Sequence, residues 1–148
     1  MTTRRMPESL PNAAEIWGPR IRAARAAGSV APLAQVTIER WLTPEFQAAN
    51  PQRWQQILDT IAATDAEGYA GCAEAISDFS FLGRLPKLAL PVCIVCGEDD
   101  NAVPPREGQR IAALVPDGRF HAIAGARHLP NVEKPSAFNA LLLDWARR

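Results

Sequence analysis

The sequence has no net charge to spare: sixteen Lys and Arg balance sixteen Asp and Glu over 148 residues. That balance excludes the broad basic footprint of a nucleic-acid binder and the polybasic face of a protein held on anionic lipid. One local basic run, "GPRIRAAR", has the spacing of a solvated helix face. No apolar run approaches the ~20 residues of a membrane helix, so no membrane partner is expected. The opening "MTTRRMPESLPN" has arginines without a hydrophobic stretch behind them, and no secretory leader is expected there. Cysteine is scarce too. Three residues, an odd number without framework spacing, point to a reducing, cytoplasmic location. Repeats and low-complexity tracts are absent.

What remains is a globular composition, 47% hydrophobic and 22% charged. A chain of ~150 residues buries roughly two-thirds of its unfolded surface, enough for one domain. The thirteen prolines punctuate it. The first half reads as short helices. Trp17, Ile21 and Ala24 share a face of a segment that stops at Gly28, and Ser29 caps a second helix with Leu33, Val36, Ile38 and Trp41 as apolar positions. Thr43-Pro44 and Asn50-Pro51 each read as a cap followed by proline at the first helical position. Trp54, Ile57, Leu58 and Ile61 recur at helical spacing, and Asp65 caps a helix running through Tyr69 and Cys72 to Ile76. The character changes near residues 82–86. "LALPVCIVCG" reads as a buried strand ended by glycine, followed by a helix over Pro105–Leu114. A second strand is expected over Arg119–Ala124, and a last helix over Pro135–Arg147 carries Phe138, Leu141, Leu142 and Trp145. Strand, helix, strand, helix implies a parallel pair with a right-handed crossover, hence an α/β class.

Cys93 and Cys96 form a C-x-x-C. On a strand, residues three apart face opposite sides ~10 Å from each other, too far for one metal or a disulfide. A redox pair of this spacing sits instead at a helix N-terminus, so these thiols are read as packing residues. The chemistry is expected where the strands end, since ligand sites of open parallel sheets lie beyond the strands' carboxyl ends. Gly97 delivers Glu98, Asp99 and Asp100 there, and Gly125 brings His128 to the same edge on the next strand. A carboxylate that orients an imidazole is the supporting part of a nucleophile–base–acid triad. Asp99 competes with Asp100 for that place. Glu98 reads as solvated, and His121, inside the second strand, as structural.

"LPVCIVCGEDDNAVPP" followed by "GARHLPNVEKPSAFNALLLDW" resembles the C-terminal end of α/β-hydrolases: an apolar strand, glycine, an acid with proline about a turn later, then Gly-x-x-His before a Glu-x-Pro helix start. The resemblance implies Asp100 as the acid and His128 as the general base. "TIERWLTPEF" and "IAATDAEGYAGCAEAI" are similar to the cap of 3-oxoadipate enol-lactonases. It also implies a partial α/β-hydrolase fold: a tail over 1–11, a helical cap over 12–82, and over 83–148 two parallel strands with flanking helices. Trp41, Trp54 and Tyr69 are the candidates for binding substrate under the cap, although their helical spacing more often marks a core. Arg22 and Arg40 are better read as a solvated face than as carboxylate ligands.

The chain departs from the family pattern in two respects, lacking the nucleophile motif and the oxyanion-hole loop. The nucleophile belongs in G-x-S-x-G on a strand-to-helix elbow, and none of Ser9, Ser29, Ser77, Ser80 and Ser136 has glycines at both flanking positions. The expectation is therefore an enol-lactonase-like hydrolase of a lactone or carboxylic ester, of the kind that serves aromatic-compound catabolism, represented by the part without the nucleophile and inactive alone. The alternative is a non-catalytic fragment or association module. No cofactor or metal is expected. The partners expected are a small lactone or ester, and either a second copy or the missing N-terminal half.

Overall fold

The computed structural model describes residues 13–77 and 80–147; the expected tail over 1–11 lies outside them. Contacts divide the chain into two compact units. One takes the chain up to Ile38 together with Asn50–Gly83, and the other takes Glu39–Ala49 together with Arg84–Arg148. One division between the units falls between Gly83 and Arg84, and the second unit also takes a stretch from within the helical half.

The first unit is helical. Helix α1 (Ala13–Ala27) ends where Gly28 takes φ 69°, a left-handed value that suits a residue without Cβ. Helix α2 (Ala31–Trp41) starts behind Ser29, whose Oγ accepts the Ala31 N–H at 3.3 Å. Helix α4 (Pro51–Ala62) has proline in its first turn but takes no side-chain cap from Asn50; the Asn50 carbonyl accepts the Trp54 N–H instead. Helix α5 (Ala66–Ser77) is capped as expected, Asp65 Oδ1 accepting the Gly68 N–H at 2.7 Å. Helices α1 and α5 pack through Ile21, Ala70 and Ala73, with Trp17 and Tyr69 against that cluster. Small residues let the two backbones approach. The apolar face expected for α2 is partly corrected: Ala34 and Ile38 are buried, whereas Val36 is 54% exposed.

The second unit opens with the end of α2 and helix α3 (Pro44–Ala49). Strand β1 (Val92–Gly97), helix α6 (Pro105–Leu114) and strand β2 (Gly118–Ile123) follow, then α7 (Pro130–Glu133) and α8 (Pro135–Ala146). The strands are parallel, Val92 opposite Gly118 through Gly97 opposite Ile123. Helix α6 lies on them through Gly108, where any Cβ would meet Cys96 Sγ and Phe120 at 2.8 Å. Cys93 is on the other face of β1, lining a groove of about 270 Å³ with Val95 and with Phe138, Leu142 and Trp145 of α8. The two thiols therefore face opposite ways and are both free. Burial pushes each thiol up, which leaves neither as a ready thiolate.

The expectation of a buried strand needs correction. Val92 to Cys96 are only half-buried, α8 has no buried residue, and Leu142 and Leu143 are 47% and 55% exposed. The physical reason is that β1 pairs, among the described residues, with β2 alone, and α6 covers one face only. A further oddity is Glu107 on α6, 3% exposed, with no hydrogen bond to Oε2 and long ion pairs to Arg106 (3.5 Å) and Arg110 (3.8 Å). Neither distance is one of a strong pair. Both arginines keep contact with solvent, so an apolar side chain in place of Glu107 leaves no charge buried and recovers the desolvation of the carboxylate. Glu107→Met is therefore expected to leave thermal stability unchanged or to raise it by about 1 kcal/mol. A fall of several degrees in Tm would show that those ion pairs contribute more than the desolvation they cost.

Candidate active site

At the carboxyl end of β1 the chain turns at Gly97, and the parallel ladder runs one step further as the Glu98 N–H donates to the Ile123 carbonyl at 2.9 Å. The Asp99 N–H donates to the Ala126 carbonyl at 3.0 Å. The main chain that follows β2 is thereby sewn to the turn that follows β1. The contact is tight enough to require glycine at 97: a Cβ there would lie 2.0 Å from the Arg127 carbonyl oxygen and 2.2 Å from that of Ala126.

This seam brings the two expected residues together. His128 Nδ1 lies 2.8 Å from Asp100 Oδ2. The other carboxylate oxygen, Oδ1, accepts the N–H groups of Ala102 (2.8 Å) and Val103 (2.9 Å). Asp100 is buried at 7% exposure. Burial raises its carboxyl, but the hydrogen bonds from His128, Val103 and Ala102 and the imidazole's charge outweigh burial and hold it below the ordinary carboxylate value. An ionised Asp100 can only accept, so Nδ1 carries the proton and Nε2 is left as the ring's basic nitrogen. Asp99 supplies main chain to the seam, and it is Asp100 that pairs with the imidazole. His121 stays within β2, opposite Val95.

Of the three aromatic candidates, Trp41 reaches this site: its ring stacks on His128 with centroids 6.0 Å apart and planes at 29°. Trp54 is buried at 5% in the first compact unit, and Tyr69 packs against that unit's Ile21, Ala70 and Ala73. Trp41 is held by main chain as well, its carbonyl accepting the Leu129 N–H at 3.2 Å.

Three further residues surround the imidazole's loop. Glu133, the last residue of α7, accepts with Oε1 from the Thr43 N–H (2.7 Å) and the Thr43 hydroxyl (2.6 Å), and with Oε2 from the Arg127 N–H (2.6 Å). The Arg127 guanidinium donates to the carbonyls of Glu39 and Leu42 at the C-terminal end of α2. Sequence reading sees Glu133 and Thr43 as helix-start signals, and Thr43 does cap α3, accepting the Phe46 N–H at 3.1 Å. Their bond to each other spans ninety positions, which no local pattern signals.

Among the described residues no three His, Cys, Asp or Glu side chains gather as a metal ion would need, and no helix is long and apolar enough to cross a membrane.

Comparison with known proteins agrees with this geometry. The family model for the alpha/beta hydrolase fold matches residues 13–135. A 3-oxoadipate enol-lactonase of Acinetobacter baylyi is 31% identical over 126 residues, covering 85% of this chain and 46% of that protein. The enol-lactonase structure from Burkholderia xenovorans superposes with TM-score 0.85 at 30% identity, over 91% of this chain and 51% of that one. A thermophilic esterase from Thermogutta terrifontis superposes with TM-score 0.87 at 26% identity, over 97% and 53%. The chain spans about half the length of these relatives, and its two strands and their helices correspond to part of their fold. Strand-end acid, imidazole loop and family match agree, and the chain belongs to the α/β-hydrolase family.

Proposed function

We propose that this chain is the acid–base half of an enol-lactonase-like hydrolase acting on a lactone or carboxylic ester. The observation that carries the reading is the 2.8 Å bond from His128 Nδ1 to the buried Asp100 carboxylate, set at the ends of two adjacent parallel strands. In this reading a serine hydroxyl and the oxyanion-binding N–H groups come from a complementary half, in the same polypeptide or a separate one. His128 Nε2 takes the hydroxyl proton as the oxygen attacks the carbonyl carbon, then returns it to the departing alkoxide or enolate oxygen. Water, deprotonated by the same nitrogen, then attacks the acyl carbon, and the proton passes from Nε2 to the departing serine oxygen, which restores the hydroxyl and releases the acid. Asp100 holds the tautomer and stabilises the imidazolium while it lasts. Trp41, stacked on the imidazole, forms an aromatic wall against which a ring-shaped acyl group can lie.

The half-buried β1, with one paired edge among the described residues, supports a docking role for that strand. An unpaired edge and uncovered apolar face favour association. Turnover of an activated aryl ester and of an enol-lactone, measured on the chain alone and after fusion to the nucleophile-bearing half of a relative, tests the reading. The chain alone is expected to sediment as an oligomer and to be silent, and fusion to restore turnover by about six orders of magnitude, the scale set by a nucleophile. Turnover by the chain alone that is lost on replacing one of its five serines would overturn the missing-nucleophile reading. A folded but silent fusion would favour an association module without catalysis.

A further inference from the structure

Glu133 performs a task that the acid and base do not. Its two oxygens receive three donors at 2.6 to 2.7 Å, two from Thr43 and one from the main chain of Arg127. Charge-assisted bonds of that length are the strong kind. Thr43 is buried at 6%, so its hydroxyl and N–H have exchanged water for this carboxylate. Arg127, the residue before His128, then reaches in the opposite direction. Its guanidinium satisfies the carbonyls of Glu39 and Leu42, at a helix end that has no internal donors for its last turn and carries partial negative charge. The Leu129 N–H, one residue beyond His128, bonds the Trp41 carbonyl. The imidazole is therefore bracketed. Both of its neighbours in sequence are tied to the segment 39–43, and that segment presents the ring stacked on it.

We infer that Glu133, with Thr43 and Arg127, is a positioning residue. It locks the His128 loop to the Trp41 segment, so that base and aromatic wall form one rigid piece. Asp100 fixes one atom of the imidazole, and the Asp99–Ala126 bond ties the start of its loop to the turn after β1, but neither reaches the Trp41 segment. The Glu133 clasp supplies that connection, from the Arg127 N–H to Thr43. The inference deepens the proposed function, because it assigns a second support to the same base, but its geometry does not depend on turnover.

The decisive measurement is the His128 Nδ1 proton by NMR in the full chain, with His121→Asn simplifying the spectrum. In the parent this proton is expected far downfield and slow to exchange. In Thr43→Val, and more strongly in Glu133→Gln, exchange is expected to accelerate about tenfold or more, the equivalent of one lost hydrogen bond. Thr43→Ser, which keeps the hydroxyl, is expected to restore the parent behaviour. Far-ultraviolet circular dichroism of each variant establishes that the fold is retained. If Glu133→Gln unfolds the chain, the Thr43 pair decides. An unchanged Nδ1 proton in a folded Thr43→Val or Glu133→Gln would overturn the clasp. In the fusion described above, a loss of kcat with KM little changed is the matching kinetic signature. Altered proton exchange in a silent fusion would leave the clasp standing while the hydrolase reading falls.

Discussion

Asp100→Asn in the fused, nucleophile-bearing enzyme is expected to lower kcat by about four orders of magnitude, the scale of an exchange that keeps the shape but favours the wrong imidazole tautomer. The amide could still accept the Ala102 and Val103 N–H groups through one oxygen. Its NH2 would then face His128 and donate to Nδ1, which moves the ring proton to Nε2, where the base is needed. KM is expected to change little. The same substitution also removes a pH response from the chain by itself. Because the Asp100 carboxyl is held below its ordinary value of 3.8, the stability it contributes is fully present above that value and is lost as pH falls through the lowered one. Acid unfolding should therefore be less steep in Asp100→Asn than in the parent. A loss of kcat under tenfold, with acid unfolding unaltered, would remove Asp100 from the site.

Gly97→Ala is expected to cost about 4 kcal/mol or more, a loss found only where something specific is broken. The added methyl would sit 2.0 and 2.2 Å from two main-chain oxygens, of Arg127 and Ala126. Neither is the end of a flexible side chain. Relief requires the loop after β2 to retreat from the turn after β1, and the Asp99–Ala126 bond and the Asp100–His128 pair retreat with it. Against a total stability of about 5–15 kcal/mol this approaches unfolding. Gly71→Ala is the control. Its Cβ would meet nothing within 4 Å inside α5, and alanine is better than glycine in a helix by up to about 1 kcal/mol. One chemical change should thus shift Tm in opposite directions at the two positions. A Gly97→Ala chain that melts within two or so degrees of the parent would mean the seam is not tight.

The strands, the crossover helix and the meeting of Asp100 with His128 were legible because each announces itself locally. Val92 to Cys96 are β-branched or thiol residues bounded by proline and glycine, and Gly97 and Gly125 place Asp100 and His128 by topology. Asp100 is singled out from Asp99 by the resemblance to the family pattern, and it is Asp100 whose carboxylate meets His128. Three things were not legible. The half-exposed state of β1 follows from which strands are present, whereas hydropathy records only what a strand is suited to. The Glu133–Thr43 bond joins two residues that each have a sufficient local explanation as helix-start signals, so nothing in the sequence asks for a distant partner. Trp41 was distinguished from Trp54 and Tyr69 only by its place beyond Ile38, where the chain enters the second unit.

That crossing at Ile38 bears on how such proteins can recombine. A helical block exchanged between relatives as one cassette, cut once ahead of α1 and once near Gly83, would take Trp41 and Thr43 with it. The recipient would retain Arg127, His128 and Glu133 but find foreign residues where their partners had been. An exchange that leaves Glu39–Ala49 behind needs two more breakpoints, between 38 and 39 and between 49 and 50. The second lies at Asn50-Pro51, a ready helix boundary. The first falls inside the continuous helix α2, where a crossover must preserve helical phase to keep Trp41 over the imidazole. Lineages that trade this block whole would inherit the stacked ring and its Thr43 anchor as a unit.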